Sequence, residues 1–217
     1  MAESEILTKL AEKSITKEDL HRTVEGNFGL LPEVLGGVSS PKASVRYGCG
    51  KALMDLSAKH PEQMYPYFDS FTALLGNKYR ILRWNAMGVI ANLCVVDTKK
   101  KFDAIFDMYY GLLNDEYMVT VANVVGNSSK IALAKPYLIP KIVGKLVSVE
   151  GISTTPHLTE ECKRVIAEKT IESFSMFFSN MGDEEKAEAL FFAKKHVNSS
   201  RLALRKAAAQ FLKKWNK

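Results

Sequence analysis

A pattern of twelve residues recurs along this chain, and it constrains the fold more than any other feature of the sequence. Each clear copy has an arginine, a small residue three positions later, mostly apolar residues at positions six and seven, and a large apolar residue at position ten. Positions separated by about 3, 7 and 10 residues lie on one face of an α-helix. The pattern therefore predicts helices that bury the same face, and its recurrence predicts a helical repeat. The arginines are Arg46, Arg83, Arg164 and Arg205.

A further copy is looser and lacks the arginine. It begins at Val119, which takes the arginine position, and it places Ala122, Val125 and Gly126 at core positions. We expect a helix of the same kind here, with its buried face set by Val119.

Shorter amphipathic stretches precede these helices and begin with residues typical of a helix start. Proline opens the stretches at Pro61 and Pro136, and acidic residues open the one at Asp183. Both residue types suit the first turn of a helix. Each stretch is therefore expected to form the first helix of a hairpin, at a period of about 37 residues. An extended loop is expected from Ser148 to Thr159.

These features predict an all-α fold that forms a single domain. The predicted architecture is a right-handed α-α superhelix, or solenoid, of about five helical hairpins with an N-terminal helical cap. The cap is expected because the open end of such a stack would expose its core. The predicted ranges are 1–26 for the cap and 27–60, 61–97, 98–134, 135–181 and 182–217 for the repeats.

Paired helices at this period, prolines in the first helix and a hydrophobic-Arg-x-x-small pattern in the second resemble the HEAT family of helical repeats. The resemblance runs from about Asn27 to the end of the sequence. It implies that each arginine pairs with a loop aspartate six residues earlier, which forms a ladder between repeats. Other residues occupy those positions here, so we expect a partial ladder and stacking that relies mainly on apolar contacts. These residues are Ser40, Asn77, Leu158 and Ser199.

The composition favours a soluble protein of the cytoplasm. Of the 217 residues, 47% are hydrophobic, yet no apolar stretch is long enough to span a membrane. Glutamates stand near the start, where a signal peptide has basic residues and an apolar run. The cysteines Cys49, Cys94 and Cys162 lie far apart in apolar helical patterns, so we expect buried thiols instead of disulfides.

The net charge of +6 is concentrated at one end of the sequence. After Glu188 there are eight basic residues, the last of them Lys217, and no acidic residue. Lys206, Lys213 and Lys214 are therefore a candidate basic patch for nucleic acid or an acidic protein. The alternative is the polar outer face that a terminal repeat requires.

The second helices of a solenoid line its concave face, which is the usual binding surface. In the first two repeats the candidate binding residues are Tyr47, Lys51, Arg80, Arg83 and Trp84. Tyr47 and Trp84 hold equivalent positions, so the two rings are a candidate stacking platform for a base or a peptide side chain. Alternatively, both rings fill the seam between repeats.

A polar cluster on the later repeats is the second candidate. Asn123, Asn127, Glu168 and Glu172 are expected to face the same groove, with Ser128 beside them. Buried polar groups are costly unless they are paired, so the cluster indicates either a ligand or plain solvent exposure.

No catalytic constellation is found in the sequence, which lacks CxxC, HExxH and GxxxxGK[ST] motifs. We therefore expect no enzyme activity, no metal site and no cofactor. The predicted function is a non-enzymatic scaffold whose concave face binds a protein or peptide. The alternative is nucleic-acid binding, because the chain loosely resembles the HEAT-like DNA glycosylases that act on alkylated bases.

Overall fold

Helices make up most of the chain in the computed structural model, which describes residues 5–215. These residues contain no strand beyond one isolated bridge, between Thr155 and Leu158, so the all-α prediction is confirmed. Residues 1–4 of the predicted cap and Lys217 lie outside the described range. The helices are α1 (Glu5–Ala11), α2 (Lys17–Gly26), α3 (Leu31–Gly37), α4 (Ala43–Lys59), α5 (Pro61–Met64), α6 (Phe68–Leu74), α7 (Arg80–Leu93), α8 (Lys101–Gly111), α9 (Met118–Ala134), α10 (Ile139–Val147), α11 (Glu160–Phe177), α12 (Asp183–Lys195) and α13 (Leu202–Trp215).

The structure divides into two compact units between Asp103 and Ala104. In the first unit the arginine-bearing helices α4 and α7 pack side by side, with α2 and α3 against α4 and α6 against α7. The contact between α4 and α7 is close at Gly50. A Cβ atom there would lie 2.7 Å from Leu82 Cδ2 and 2.8 Å from Asn85 Nδ2. The packing of these two helices therefore depends on the absence of a side chain at Gly50.

In the second unit α9, α11 and α13 pack side by side in chain order. The first helices of the hairpins, α10 and α12, pack against each other, and α12 also packs against α13. The arginine-bearing helices and α9 are called inner helices below. None of the helices within residues 5–215 is long and apolar enough to cross a bilayer.

The small residues of the repeated pattern lie at the helix contacts, as predicted. Cys49, Ala86, Ala167 and Ala208 are all 5% exposed or less. At the tenth position after the arginine, Leu56, Leu93 and Phe174 are fully buried, whereas Trp215 is partly exposed. The periodic stripe is therefore the face that each inner helix buries.

The predicted register of α9 is wrong by two residues. Val119 is 40% exposed and Gly126 is exposed, whereas Val121 and Val124 are fully buried. α9 begins three residues before Val121, and α4, α7 and α13 begin three residues before their arginines. Val121 therefore takes the arginine position. The error arose because valines on two neighbouring faces allow either register.

Short polar side chains shape the loops before the inner helices. In the loops before α4, α7, α9 and α13 a side-chain oxygen accepts a hydrogen bond from the backbone N–H two residues later, which fixes a tight turn. Three of these residues hold the positions where the resemblance implied aspartate, and the fourth lies six residues before Val121. The pairs are Ser40 with Lys42, Asn77 with Tyr79, Asp115 with Tyr117 and Ser199 with Arg201, at 2.9–3.3 Å.

Two of the four pattern arginines bind backbone carbonyl groups of these polar residues. Arg46 Nη1 donates to the oxygen of Ser40 at 2.7 Å, and Arg205 Nη1 donates to the oxygen of Ser199 at 2.8 Å. The implied ladder has a carboxylate at both positions. Here each bond ties an inner helix to its own preceding loop.

A polar link between repeats is made instead by Arg201, four residues before Arg205. Arg201 Nε donates to Glu168 Oε2 at 2.7 Å, and its Nη1 donates to Glu161 Oε1 at 2.6 Å. Glu161 also accepts a hydrogen bond from Arg164. The hydrogen bond from Arg201, and to a smaller extent the one from Arg164, holds the pKa of Glu161 below its usual value. The cluster joins α11 to the start of α13.

The loop predicted from Ser148 to Thr159 is more ordered than expected. Its first residues form a 3-10 turn, and Leu158 is fully buried. The His157 ring stacks on Tyr117 at 4.3 Å between ring centroids, and the His157 oxygen accepts the N–H of Met118 at 3.5 Å. The loop therefore covers the first turn of α9.

Two of the three cysteines are buried as predicted. Cys49 and Cys94 are enclosed, and burial raises the pKa of the Cys49 thiol to about 12. Cys162 is only partly buried because it lies in the first turn of α11. All three are free thiols.

The close approach at Gly50 predicts that Gly50→Val lowers the free energy of unfolding by about 1–3 kcal/mol, since the new methyl groups must displace Leu82 and Asn85. Gly126→Val is the matched control. It also lies within an inner helix, no atom comes within 4 Å of a Cβ at that position, and valine forms helix better than glycine. Urea unfolding followed by circular dichroism measures both. Equal midpoints for the two variants would contradict the close approach.

The Arg201 cluster predicts a difference in acid stability. A carboxyl group whose pKa is lower in the folded state stabilises the fold above its unfolded pKa, and this stabilisation is lost as the pH falls. The wild-type protein should therefore lose stability as the pH falls below the usual value for Glu161, 4.5. Arg201→Gln should raise that pKa and reduce the acid dependence. Arg205→Gln is the control, because Arg205 binds a neutral carbonyl. Thermal melts over a pH series test this, and an unchanged slope in Arg201→Gln would disprove it.

Candidate binding surface

Two grooves open along the inner helices of the second unit. One lies between α9 and α11 with a cavity volume of about 570 Å³, and the other lies between α11 and α13 with about 260 Å³. Glu172 and Ser175 line both, so the grooves adjoin along α11. The two grooves together are called the inner groove.

The register of the repeats explains the groove between α9 and α11. Gly126 and Ser129 lie five and eight residues after Val121, and Lys169 and Glu172 lie five and eight residues after Arg164. These side chains face each other across the groove. Because Gly126 and Ser129 are small, they leave space that larger side chains would fill. In the first unit Gly88 holds the position of Gly126, and there the Met54 side chain fills the space against it.

The groove between α11 and α13 combines an apolar floor with polar edges. Ile171 and Phe211 are buried at its base, and Ala207 is partly exposed. Gln210 and Lys214 stand exposed on the α13 side. A segment of another polypeptide in this groove would make apolar contacts with the floor and hydrogen bonds with the polar edge.

Several groups in the inner groove are not used by the fold. Met176 is 66% exposed although it is a large apolar residue. Ser173 Oγ is buried and has no hydrogen-bond partner among the described residues. Glu172 Oε2 and Lys169 Nζ form an ion pair at 2.7 Å, but both side chains are about half exposed. Met176 and the Lys169–Glu172 pair are therefore the accessible groups of this wall.

The predicted polar cluster is divided in the structure. Asn123 and Asn127 each donate to a carbonyl of their own helix, at Val119 and Asn123. They lie two and six residues after Val121, and neither lines the groove between α9 and α11. Ser128 is buried, where it accepts a hydrogen bond from Tyr110. The register shift therefore moves the asparagines off the groove that contains Glu172.

Of the two predicted glutamates, Glu172 lines the inner groove and Glu168 does not. The Glu168 side chain is 14% exposed and is bound to Arg201. Its role in the structure is the link between α11 and α13 described above. Of the four residues predicted to face one groove, only Glu172 therefore lines the inner groove.

In the first unit the ring of Tyr47 meets Tyr79 edge to face, with the ring centroids 6.2 Å apart. The buried Arg46 guanidinium lies 3.8 Å from the Tyr79 centroid and 4.8 Å from that of Tyr47. Such cation–π contacts stabilise a buried cation that has no carboxylate beside it. Sequence reasoning missed Tyr79 because it precedes the repeated helix. Tyr47 is therefore part of the packing around Arg46.

The other predicted binding residues of the first unit differ in their contacts and exposure. Lys51 forms an ion pair with Asp55 on the same helix. Arg83 Nε donates to the oxygen of Leu75 at 3.1 Å. Arg80 is exposed and Trp84 is partly exposed. Lys51 and Arg83 are therefore engaged by neighbouring groups of the first unit.

The basic patch is exposed on one face of α13. Lys206, Lys213 and Lys214 are all exposed, and none of them forms an ion pair with a residue in the range 5–215. Lys214 Nζ lies 4.4 Å from the centroid of the Trp215 ring. These three lysines are called the basic face below. Lys214 also lines the inner groove, so the two surfaces are continuous.

Another cavity of the second unit, of about 490 Å³, lies at the loops between α10, α11 and α13. Its charged groups are largely paired with each other: Lys195 with Glu150 at 2.6 Å and Lys163 with Glu160 at 3.4 Å. Burial lowers the pKa of His196 there. Within residues 5–215 no group of three or more potential ligand side chains is placed to hold a metal ion.

Comparison with known proteins supports the fold. No family model and no curated protein matches the chain. Among solved structures, the designed armadillo repeat protein YIII(Dq)4CqI is 18% identical, with a TM-score of 0.61 over 95% of this chain and 89% of that one. The designed armadillo repeat protein YIII(Dq.V1)4CPAF, in complex with peptide (KR)4, is 18% identical, with a TM-score of 0.64 over 97% and 91%. An engineered protein is 14% identical, with a TM-score of 0.54 over 97% and 87%. The chain therefore has an armadillo/HEAT-like helical repeat fold, an all-α solenoid.

Proposed function

We propose that this protein is a non-enzymatic interaction scaffold that binds an extended segment of another protein along the inner groove. The observation that carries this proposal is the continuity of the two grooves across α9, α11 and α13. An extended chain needs a long, shallow site, and adjoining grooves across three successive helices offer one.

The chemistry of the inner groove suits a polypeptide. An extended segment presents backbone N–H and C=O groups that must find partners when it is bound. The Glu172 carboxylate is placed to accept N–H groups, while Gln210 can donate and accept. Met176 and the floor at Phe211 offer apolar contact to side chains. The inner groove therefore supplies both kinds of contact that peptide recognition uses.

Two further points support a protein partner. A solved structure of the same fold, a designed armadillo repeat protein, is in complex with peptide (KR)4. That is an argument by analogy, because fold alone does not fix function. In addition, Tyr47 is engaged by Arg46 and Tyr79, which weakens the nucleic-acid alternative, since that alternative needs a free aromatic platform.

Selection from a displayed library of random peptides tests the proposal. We expect enrichment of peptides whose binding is lost, by about tenfold or more, in Gly126→Arg and in Gln210→Arg. Both positions are exposed and no atom crowds a Cβ at Gly126, so the new side chains can obstruct the groove without disturbing the core. Affinity is measured by fluorescence anisotropy.

Ala187→Arg on α12 is the control, because it adds the same side chain at an exposed site outside the groove. It should leave the affinity of the selected peptides within about twofold of wild type. The proposal fails if no peptide is enriched, or if the enriched peptides bind all three variants equally. Circular dichroism spectra of the variants verify that each one is folded.

A further inference from the structure

The basic face of α13 carries three exposed lysines that form no ion pair with any residue in the range 5–215. α13 has four basic residues and no acidic one. Four other lysines of this unit form ion pairs with carboxylates: Lys145 with Asp107, Lys163 with Glu160, Lys169 with Glu172 and Lys195 with Glu150. Lys206, Lys213 and Lys214 have no such partner in the described part of the chain. The contrast marks α13 as a surface suited to external negative charge.

The helix itself accounts for only part of this arrangement. Lys213 and Lys214 lie in the last turn of α13, where the partial negative charge of the helix end stabilises cations. Lys206 lies near the start of the helix, where the helix dipole gives a cation no stabilisation. A solvated cap also needs only polar residues, which lysine and glutamate provide equally well.

The spacing of the lysines matches an extended chain beside the inner groove. Lys206, Gln210, Lys213 and Lys214 are separated by intervals of four, three and one residues, so they lie on one face of α13. The distance from Lys206 to Lys213 along the helix is about 10 Å. An extended polypeptide covers that distance in about three residues. Acidic side chains two or four positions apart lie on one face of an extended chain, about 7 and 13 Å apart, so both spacings bring carboxylates within reach of the two long lysine side chains.

We propose that the segment bound in the inner groove is acidic and that its carboxylates pair with Lys206, Lys213 and Lys214. The inference rests on the proposed function and specifies the chemistry of the partner. The supporting observation is charge complementarity on a continuous surface, because Lys214 belongs both to the groove and to the basic face.

An acidic polypeptide fits this surface better than a nucleic acid. Glu172 stands across the groove from Lys214, and its carboxylate repels a phosphate backbone that carries a charge on every nucleotide. A polypeptide can place its N–H groups toward Glu172 and its carboxylates toward α13. The mixed charges of the two walls therefore favour a segment with both donors and acidic side chains.

The test uses fluorescein-labelled twelve-residue peptides of alternating glutamate and serine, with glutamine–serine and lysine–serine peptides of the same length as charge controls. Anisotropy titrations at about 50 mM salt keep charge pairing strong. We expect the glutamate peptide alone to bind. Its affinity should fall about tenfold or more in the double variant Lys206→Glu/Lys213→Glu.

The matched control is Lys99→Glu/Lys194→Glu, which changes the net charge equally at two exposed lysines that are not part of α13. It should alter the affinity by less than about threefold. Equal losses in both double variants, or no binding of the glutamate peptide, would overturn the inference.

If the lysine peptide binds instead, and Gly126→Arg abolishes that binding, the inference is overturned and the proposed scaffold function stands. Binding of duplex DNA that needs Lys206 and Lys213, without binding of the glutamate peptide, would assign the basic face to nucleic acid. An empty peptide-library selection would instead refute the scaffold function itself.

Discussion

Apolar contact between successive inner helices holds each unit together, and its magnitude exceeds that of the polar links. A fully buried leucine, isoleucine or phenylalanine side chain contributes about 1.5–3 kcal/mol. An exposed ion pair contributes about 0–1 kcal/mol. Leu53, Leu56 and Ile90 are all fully buried in the first unit, and Ile166 and Phe174 are buried in the second. The stack can therefore do without a complete ladder of carboxylates, provided that small residues keep the helices close.

The loops before the inner helices show how the polar requirement is met without aspartate. Serine and asparagine fix the turn through their side-chain oxygens, and the backbone carbonyl that this turn presents receives the arginine at Ser40 and Ser199. A neutral acceptor leaves the guanidinium charge uncompensated. At Arg46 the rings of Tyr47 and Tyr79 provide that compensation. At Arg46 the Ser40 carbonyl and the rings of Tyr47 and Tyr79 thus take the place of the arginine–aspartate ion pair that the HEAT resemblance implied.

The sequence predicts the fold well because helical periodicity records the buried face directly. The arginine copies identify α4, α7, α11 and α13, and their small residues lie where predicted. α9 was misread because valines on adjacent faces conceal the register, and the predicted asparagines followed that error. The inner groove depends on Gly126 and Ser129, which become visible only in the corrected register. Arg201 and Tyr79 lie outside the repeated helix, so no periodic signal marks their contacts. The basic face of Lys206, Lys213 and Lys214 is predictable because a cluster of like charges is visible in the sequence without knowledge of how the helices pack.

The loop over the first turn of α9 affects how independent the repeats are. Thr155 Oγ1 donates to the oxygen of Glu116, a residue 39 positions earlier, and His157 stacks on Tyr117. In an ideal repeat array each hairpin is a module that can be deleted or duplicated without loss to its neighbours. Here the start of the second helix of one hairpin is covered by a segment that follows the first helix of the next hairpin. The smallest cooperative module in this region is therefore larger than one hairpin. Insertion or deletion of a single repeat here would break the contacts of this loop with the start of α9.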